Sequence, residues 1–217
     1  MTYTGQVSVG GDPDVRELDH LAITKLAVGP MSNNVYLLRC RETGEQLLID
    51  AAFDDDRLLE LAGGAGLETV VTTHRHADHV QALPDLVEAT GATTVAGDAD
   101  ADALPVSVDL AVSDGDSVAV GRCHLAVIRL TGHTPGSIAL RYDDPAGHPH
   151  LFSGDSLFPG GPGRTTGIED FLSLMGDLEE KVFVELPDET WVYPGHGDDT
   201  TLGVERPHLP EWRARGW

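Results

Sequence analysis

The stretch THRHADH, residues 73–79, constrains this chain more than any other segment. It places three histidines and an aspartate within six consecutive positions. Protein interiors seldom accommodate several neighbouring imidazoles and a carboxylate unless a cation holds them together. The segment is therefore either a solvated polar turn or a metal site, and the rest of the sequence must decide between the two.

Other polar residues of the same kinds also follow predicted strands. The apolar runs that end in ETVVTT, AVIRLTG, HLFSG and TWVYPG have the length and composition of strands. The residues that follow these runs are His74 and His76, His133, Asp155, and His196. Loops at strand ends are where a rigid scaffold presents functional groups, so we expect these side chains to share one site.

Strands and helices are mixed along the whole sequence. ITKLAVG, NNVYLLRC and EQLLID predict a meander of strands, and DSVAVGRCHLAVIRLTGH predicts a hairpin. DDDRLLELAGGAG, ADHVQALPDLVEATG and IEDFLSLMGDLEEKVFVEL predict helices, the last of them amphipathic. Residues 1–217 are accordingly expected to form a single domain with one substantial core.

The spacing of the histidine cluster suits metal binding. In an extended segment residues i and i+2 point to the same side, so His74 and His76 can bind one ion while Arg75 faces away. Asp78 and His79 follow on the next turn and could reach a second ion. His133, Asp155 and His196 are the remaining candidates, which gives enough ligands for two ions with one carboxylate able to bridge them.

The motifs THRHADH, TGHTPGS, FSGDS and YPGHG, in that order, resemble the metallo-β-lactamase superfamily from about residue 23 onward. The resemblance implies an α+β fold, a four-layer αβ/βα sandwich, with two divalent metal ions. Zinc is the expected metal, and iron or manganese is the alternative. The implied ligands are His74, His76 and His133 for one ion, Asp78, His79 and His196 for the other, and Asp155 between them. Asp50 matches a position that usually supports the ligands.

The segments PGHGDDTTLGVER and FPGGPGRT are similar to compact glyoxalase II-type thioesterases. This resemblance implies hydrolysis of S-2-hydroxyacyl thioesters, small-molecule substrates attacked by a hydroxide that bridges the two metals. Asp78 and Asp155 are the expected catalytic residues, with Asp78 orienting the hydroxide or moving its proton. The chain ends in PHLPEWRARGW, where full-length glyoxalase II has a helical glutathione-binding region. The thiol carrier therefore stays open.

Arg164, in PGGPGRTTG, is a candidate for binding a carboxylate of the thiol carrier. The glycine-rich loop that carries it follows Asp155 and is expected to overhang the metals. The alternative is that Arg164 pairs with one of the many carboxylates on the surface.

Other activities on the same scaffold remain open at this point. A persulfide dioxygenase would hold a single non-haem iron with His74, His133 and Asp155. A lactonase-type hydrolase and a non-enzymatic metal-binding module are further alternatives. A β-lactamase and a nuclease are less favoured, the first because a secretory leader is missing from the sequence and the second because of the charge.

The net charge and the cysteine content of the chain indicate which binding partners and which cellular compartment to expect. The formal net charge of −22 repels phosphate backbones and anionic lipid, so neither nucleic acid nor a membrane is an expected partner. Cys40 and Cys123 are isolated, which argues against a disulfide framework and for a reducing compartment. Without an apolar leader or a run long enough to span a bilayer, the protein is expected to be cytoplasmic, as a monomer or homodimer.

The other five histidines lie outside the four motifs. His148 and His150, in AGHPHL, are expected in a plain hairpin loop. His20, His124 and His208 are expected at the surface or in packing.

Overall fold

In the computed structural model, which describes residues 2–216, two β-sheets face each other across an apolar core. The strands are, in chain order, β1 (Asp14–Glu17), β2 (Leu21–Val28), β3 (Asn33–Cys40), β4 (Gln46–Ile49), β5 (Thr69–Thr72), β6 (Thr93–Gly97), β7 (Leu110–Val112), β8 (Ser117–Val120), β9 (Cys123–Arg129), β10 (Ile138–Asp143), β11 (Pro149–Gly154), β12 (Leu157–Phe158), β13 (Gly161–Pro162), β14 (Trp191–Pro194) and β15 (Thr200–Thr201). The predicted meander and hairpin are confirmed.

The helices lie on the outer faces of the two sheets. They are α1 (Asp55–Ala62), α2 (Leu83–Thr90), α3 (Ile168–Asp177), α4 (Leu202–Glu205) and α5 (Leu209–Arg215). A π-helical segment, Leu178–Phe183, continues directly from α3. The amphipathic helix expected at this place is thus confirmed in position and changes its winding after Asp177.

The helix expected over residues 77–91 is shorter than the sequence suggests. Ala77–His79 forms a separate 3₁₀ turn, and α2 begins only at Leu83. Pro84 lacks a backbone N–H and therefore suits the first turn of a helix rather than its middle. The interruption leaves Asp78 and His79 on a short turn of their own.

Strand order brings several strand ends to one edge of the first sheet. This sheet has the order β1-β2-β3-β4-β5-β6-β7, and β4 to β7 are parallel. The second sheet has the order β15-β14-β11-β10-β9-β8, and β12 and β13 form a small separate hairpin. The carboxyl ends of β4 and β5 lie at the same edge as the start of β3, because β3 and β4 are antiparallel.

Three apolar clusters hold the layers together. Between the sheets lie side chains such as Leu38, Val71 and Phe152. Leu58 and Leu86 belong to the cluster that packs α1 and α2 on the first sheet. Residues of α3, the π-helical segment and α5 cover the second sheet; this cluster includes Phe171, Leu174, Val182 and Trp212. The order helix, sheet, sheet, helix confirms the expected four-layer αβ/βα sandwich.

His150 is not in a loop, contrary to the expectation from the sequence. The ladder between β10 and β11 closes at Asp143 and Pro149, so the hairpin loop is limited to residues 144–148. His148 lies in that loop, whereas His150 is a buried residue of β11 that pairs with Tyr142. His20, His124 and His208 are exposed, as expected.

Within residues 2–216, no α-helix has the length and apolar composition required to cross a bilayer.

Candidate metal centre

Loops from both sheets meet above the edge where β4 and β5 end. His74 and His76 follow β5, and the 3₁₀ turn behind them carries Asp78 and His79. The second sheet contributes a residue from the loop after β9, one from the end of β11 and one from the end of β14; these are His133, Asp155 and His196. The structure thus brings together all seven side chains predicted as ligands. Their donor atoms form three overlapping groups, which are His74, His76 and His133; His74, His79 and Asp155; and Asp78, His79 and His196.

Distances within the groups suit shared ions. His74 Nε2 lies 3.3 Å from His133 Nε2, and His79 Nε2 lies 3.2 Å from His196 Nε2. Asp155 reaches both sides of the cluster. Its Oδ2 is 3.6 Å from His133 Nε2, and its Oδ1 is 3.4 Å from His79 Nε2. A carboxylate in this position is able to contact two ions at once.

Four of the histidines are oriented by hydrogen bonds at their other ring nitrogen. His133 Nδ1 donates to the carbonyl oxygen of Arg164 at 2.6 Å, and His196 Nδ1 donates to that of Met31 at 3.1 Å. A proton on Nδ1 leaves Nε2 with a free lone pair that faces the centre of the cluster. This is the usual arrangement of metal-binding histidines, in which a second hydrogen bond fixes both the tautomer and the ring orientation.

Asp50 fixes the other two of these histidines. It follows β4 with a φ of 62°, a left-handed conformation that is uncommon for a residue with a side chain. Its Oδ2 accepts from His79 Nδ1 at 2.9 Å and from the Thr73 hydroxyl at 2.8 Å. Because the Thr73 hydroxyl donates to Asp50, its oxygen is free to accept from His74 Nδ1, 3.0 Å away. Asp50 therefore supports the ligands, as the family resemblance implies.

The start of β3 holds Asp78 and His196 in position. Asn33 Nδ2 donates to Asp78 Oδ2 at 2.9 Å, and the backbone of Asn33 forms an isolated bridge with His196. The next residue, Asn34, donates through Nδ2 to the carbonyl oxygens of Pro194 and Gly197, both at 2.9 Å. The loop that carries His196 is thus pinned to the first sheet.

The carboxylates give the cluster a negative charge that only histidines offset. Across residues 2–216, the ion-pair partners of Asp50, Asp78 and Asp155 are histidines. Burial acts to raise the pKa of Asp155, but the close imidazoles of His196 and His79 hold it well below its usual range. Burial acts to lower the pKa of His79, and the carboxylates of Asp50 and Asp155 outweigh it and raise this pKa to about 10. The cluster therefore favours bound positive charge.

Two further observations fit divalent ions at this place. Among the described residues, Asp155 Oδ1 is one of a few buried polar side-chain atoms without a hydrogen-bond partner, as expected for an oxygen reserved for a metal. Gly195 faces the same oxygen, and a Cβ there would lie 2.1 Å from it. The chain thus leaves open the space beside Asp155.

A cavity of about 280 Å³ adjoins the centre on the side of His76 and His133. The side chain of Arg75 lines this cavity, and its Nε lies 3.6 Å from Asp100 Oδ1. Arg164 lies on the loop between β13 and α3 with its side chain exposed, and its carbonyl oxygen orients His133.

The supporting residues are hard to recognise from the sequence alone. Asn33 and Met31 come close to His196 only after the two sheets pack, and Met31 acts through its carbonyl oxygen. A signal did exist for Asn33 and Asn34, because consecutive amides at the start of an otherwise apolar strand require partners.

Comparison with known proteins identifies this arrangement. Residues 28–196 match the sequence profile of the metallo-beta-lactamase superfamily, so the chain belongs to that superfamily. A hydroxyacylglutathione hydrolase of Polaromonas sp. is 38% identical over 164 residues, which cover 74% of this chain and 60% of the relative. The chain thus matches less than two thirds of the length of that relative.

Solved structures agree in fold. ETHE1 from Myxococcus xanthus superposes with a TM-score of 0.76 at 33% identity, covering 87% of this chain and 83% of that one. TTHA1623, in a di-iron-bound form, gives a TM-score of 0.69 at 32% identity and covers 84% of this chain and 96% of that one. Both superpositions cover most of the αβ/βα sandwich.

Proposed function

We propose that this chain is a metal-dependent hydrolase that cleaves S-2-hydroxyacyl thioesters. The observation that carries the proposal is the position of Asp155, whose two carboxylate oxygens face different histidines of one cluster. The similarity to a protein named hydroxyacylglutathione hydrolase supports the thioester as the substrate class. A cytoplasmic location and a monomeric or homodimeric state remain predictions from the sequence.

We assign two divalent ions to the cluster. His74, His76 and His133 would hold one ion, Asp78, His79 and His196 the other, and Asp155 both. Zinc is the metal expected from the donor set, and the di-iron form of TTHA1623 supports iron as the alternative. When bound, such ions lower the pKa of water to near neutrality and polarise a carbonyl oxygen.

Asp78 is placed to orient the attacking water. Its carboxylate is partly exposed at the mouth of the cluster, and Asn33 holds Oδ2 in position. Burial acts to raise the pKa of Asp78, but the hydrogen bond from Asn33 and the neighbouring His79 lower it. A carboxylate with a lowered pKa stays ionised, so Asp78 could accept a hydrogen bond from the attacking water and orient it.

The thiol carrier is assigned to the side of the centre where the loop of Arg164 runs. Arg164→Ala should reduce kcat/KM about ten- to hundredfold for a carboxylate-bearing thioester, since a charge-assisted hydrogen bond contributes about 1.5–3 kcal/mol. The contact is remote from the reacting carbonyl, so the loss should appear mainly in KM. Steady-state kinetics would check this. A KM that changes less than about twofold would show that Arg164 does not bind the thiol carrier.

The decisive experiment combines metal analysis of the purified protein with two assays run in parallel. Hydrolysis of S-2-hydroxyacyl thioesters is expected, together with about two divalent ions per chain. Persulfide-dependent oxygen uptake without thioester turnover would instead identify a dioxygenase with a single iron on His74, His133 and Asp155. Lactone hydrolysis without thioester turnover would redirect the proposal to a lactonase.

A further inference from the structure

Two cysteines meet at the edge of the sandwich opposite the metal centre. Cys40 is the last residue of β3, a strand that begins at the metal centre with Asn33. Cys123 is the first residue of β9, whose far end leads toward His133. The two residues belong to different sheets, and the packing of the sheets places both in the same apolar cluster.

The two thiols are free and interact with each other. Cys123 contacts the thiol of Cys40 and the phenol of Tyr142. Its Sγ also donates a weak hydrogen bond to the carbonyl oxygen of His20, at 3.5 Å. Cys40 and Cys123 are far apart in the sequence, which by itself argues against a disulfide framework. The two residues come together only in the tertiary fold.

Cys40 lies in a nest of hydrogen-bond donors. The hydroxyl of Thr43 and the backbone N–H groups of Arg122, Thr43 and Glu42 point at its sulfur. Burial acts to raise the pKa of Cys40, but these donors outweigh burial and lower the pKa to about 6. Burial and the neighbouring Cys40 raise the pKa of Cys123. The lowered pKa favours the thiolate form of Cys40 at neutral pH, and the raised pKa favours the protonated form of Cys123.

A cavity of about 470 Å³ borders the pair, whose side chains are otherwise buried, with Cys40 1% and Cys123 6% exposed. Its lining includes both cysteines, His20 and Tyr142. Arg122 lines the same cavity, with its Nε 3.2 Å from Glu42 Oε1, and both of these side chains are mostly exposed. A low-molecular-weight disulfide fits a space of this size.

We propose that Cys40 and Cys123 form a thiol–disulfide exchange site for low-molecular-weight disulfides, separate from the metal centre. The Cys40 thiolate attacks one sulfur of the disulfide, whose S–S bond breaks, and the first small thiol leaves as Cys40 forms a mixed disulfide. Cys123 then loses its proton and attacks the Cys40 sulfur, releasing the second small thiol. The two protein thiols are oxidised, the small disulfide is reduced, and the two thiol protons end on the two released thiols.

The test uses the reduced chain of residues 1–217 and bis(2-hydroxyethyl) disulfide at neutral pH. We expect the loss of both protein thiols, a mass lower by two hydrogen atoms, and a Cys40–Cys123 cross-linked peptide in the non-reducing map. The reaction of the variant Cys123→Ser should stop at the mixed disulfide, in which one small thiol is disulfide-bonded to Cys40. The variant Cys40→Ser should react more than about tenfold more slowly than Cys123→Ser, because it lacks the low-pKa thiol.

Thioester hydrolysis by Cys123→Ser should match that of the parent chain, which would show that this variant folds and that the exchange site is separate. The proposal is overturned if both thiols of the parent persist while the same thiols react after denaturation. Cross-links formed only between chains, or equal reactivity of the two single variants, would also overturn it. Failure of Cys40→Ser to fold leaves the mixed disulfide in Cys123→Ser as the deciding measurement.

Discussion

Asp155 is the residue on which the proposed metal centre depends most, because its carboxylate lies within 3.6 Å of histidines from both halves of the cluster. Asp155→Ala should lose much of the bound metal and nearly all activity. The loss should exceed the roughly 10–100-fold effects of removing groups that only support a ligand. Metal analysis and kcat/KM measure both effects.

The matched control is His148→Ala, in the hairpin loop between β10 and β11. It should change neither metal content nor rate. An Asp155→Ala variant with full metal content and a near-normal kcat would show that the carboxylate does not bind the metals.

His150 should make the stability of the fold depend on pH. It is buried with Nδ1 2.9 Å from the hydroxyl of Tyr193, and burial, helped by His148 and Arg16, lowers its pKa to about 3. The unfolded chain takes up a proton near pH 6.5 and the folded chain does not, so this residue destabilises the fold progressively as pH falls from 6.5 toward 3. At pH 5 the effect is about 2 kcal/mol.

Urea unfolding at pH 7 and pH 5 measures this effect. His150→Gln should lose about 2 kcal/mol less stability than the parent chain between the two pH values. The control His124→Gln, at an exposed position of β9, should behave like the parent. Equal losses in the parent and His150→Gln would mean that His150 is protonated in the folded chain.

At the scale of elements, a buried ion pair ties the loop of His196 to the first sheet. Lys25, on β2, is completely buried and donates through Nζ to Asp199 Oδ1 at 2.7 Å and to the carbonyl oxygens of Gly5 and Gly197 at 2.8 Å. Gly197 directly follows His196. The ion pair therefore fixes the backbone on the C-terminal side of this ligand.

Lys25→Met should destabilise the chain by about 3–5 kcal/mol, because it leaves the buried carboxylate of Asp199 without its cation. Metal affinity should fall at the group of Asp78, His79 and His196 more than at the group of His74, His76 and His133. Urea unfolding and metal titration measure the two effects. The control Arg141→Gln removes a more exposed pair with Asp143 and should cost less than about 1 kcal/mol. Equal costs for the two variants would contradict this account.

The sequence predicted the elements that carry the ligands better than the contacts that orient them. Apolar runs ending in His74, Asp155 and His196 mark strands because burial and β-propensity act locally. The ion pair between Lys25 and Asp199 depends on how two sheets meet, which no local pattern encodes. His150 was misplaced for the same reason, since the ladder with β10 rather than the nearby Pro and Gly decides where β11 begins.

At the scale of the whole molecule, the proposed metal ligands come from both sheets. A bound ion therefore stabilises the folded chain and not the unfolded one. At a free metal concentration of 100 times Kd the gain is about 2.7 kcal/mol, which corresponds to a rise in Tm of roughly 5–10 °C for a chain of this size.

Removing the metal with a chelator should thus lower Tm by that amount, and adding zinc back should restore it, as calorimetry would show. The chelator should leave the far-ultraviolet circular dichroism at 25 °C nearly unchanged, because three apolar clusters hold the layers independently of the ligands. A Tm that does not respond to the chelator would show that no ion links the sheets.

The two sheets are also consecutive in the chain, since strands within residues 14–112 form the first and strands within residues 117–201 form the second. Synthesis proceeds from the amino terminus, so the segment of His74 to His79 leaves the ribosome long before His196 does. A nascent chain offers an ion only an open, flexible set of side chains until the last strands have emerged. Tight capture of metal by the proposed site is therefore expected only after the second sheet has been synthesised and its loops have docked.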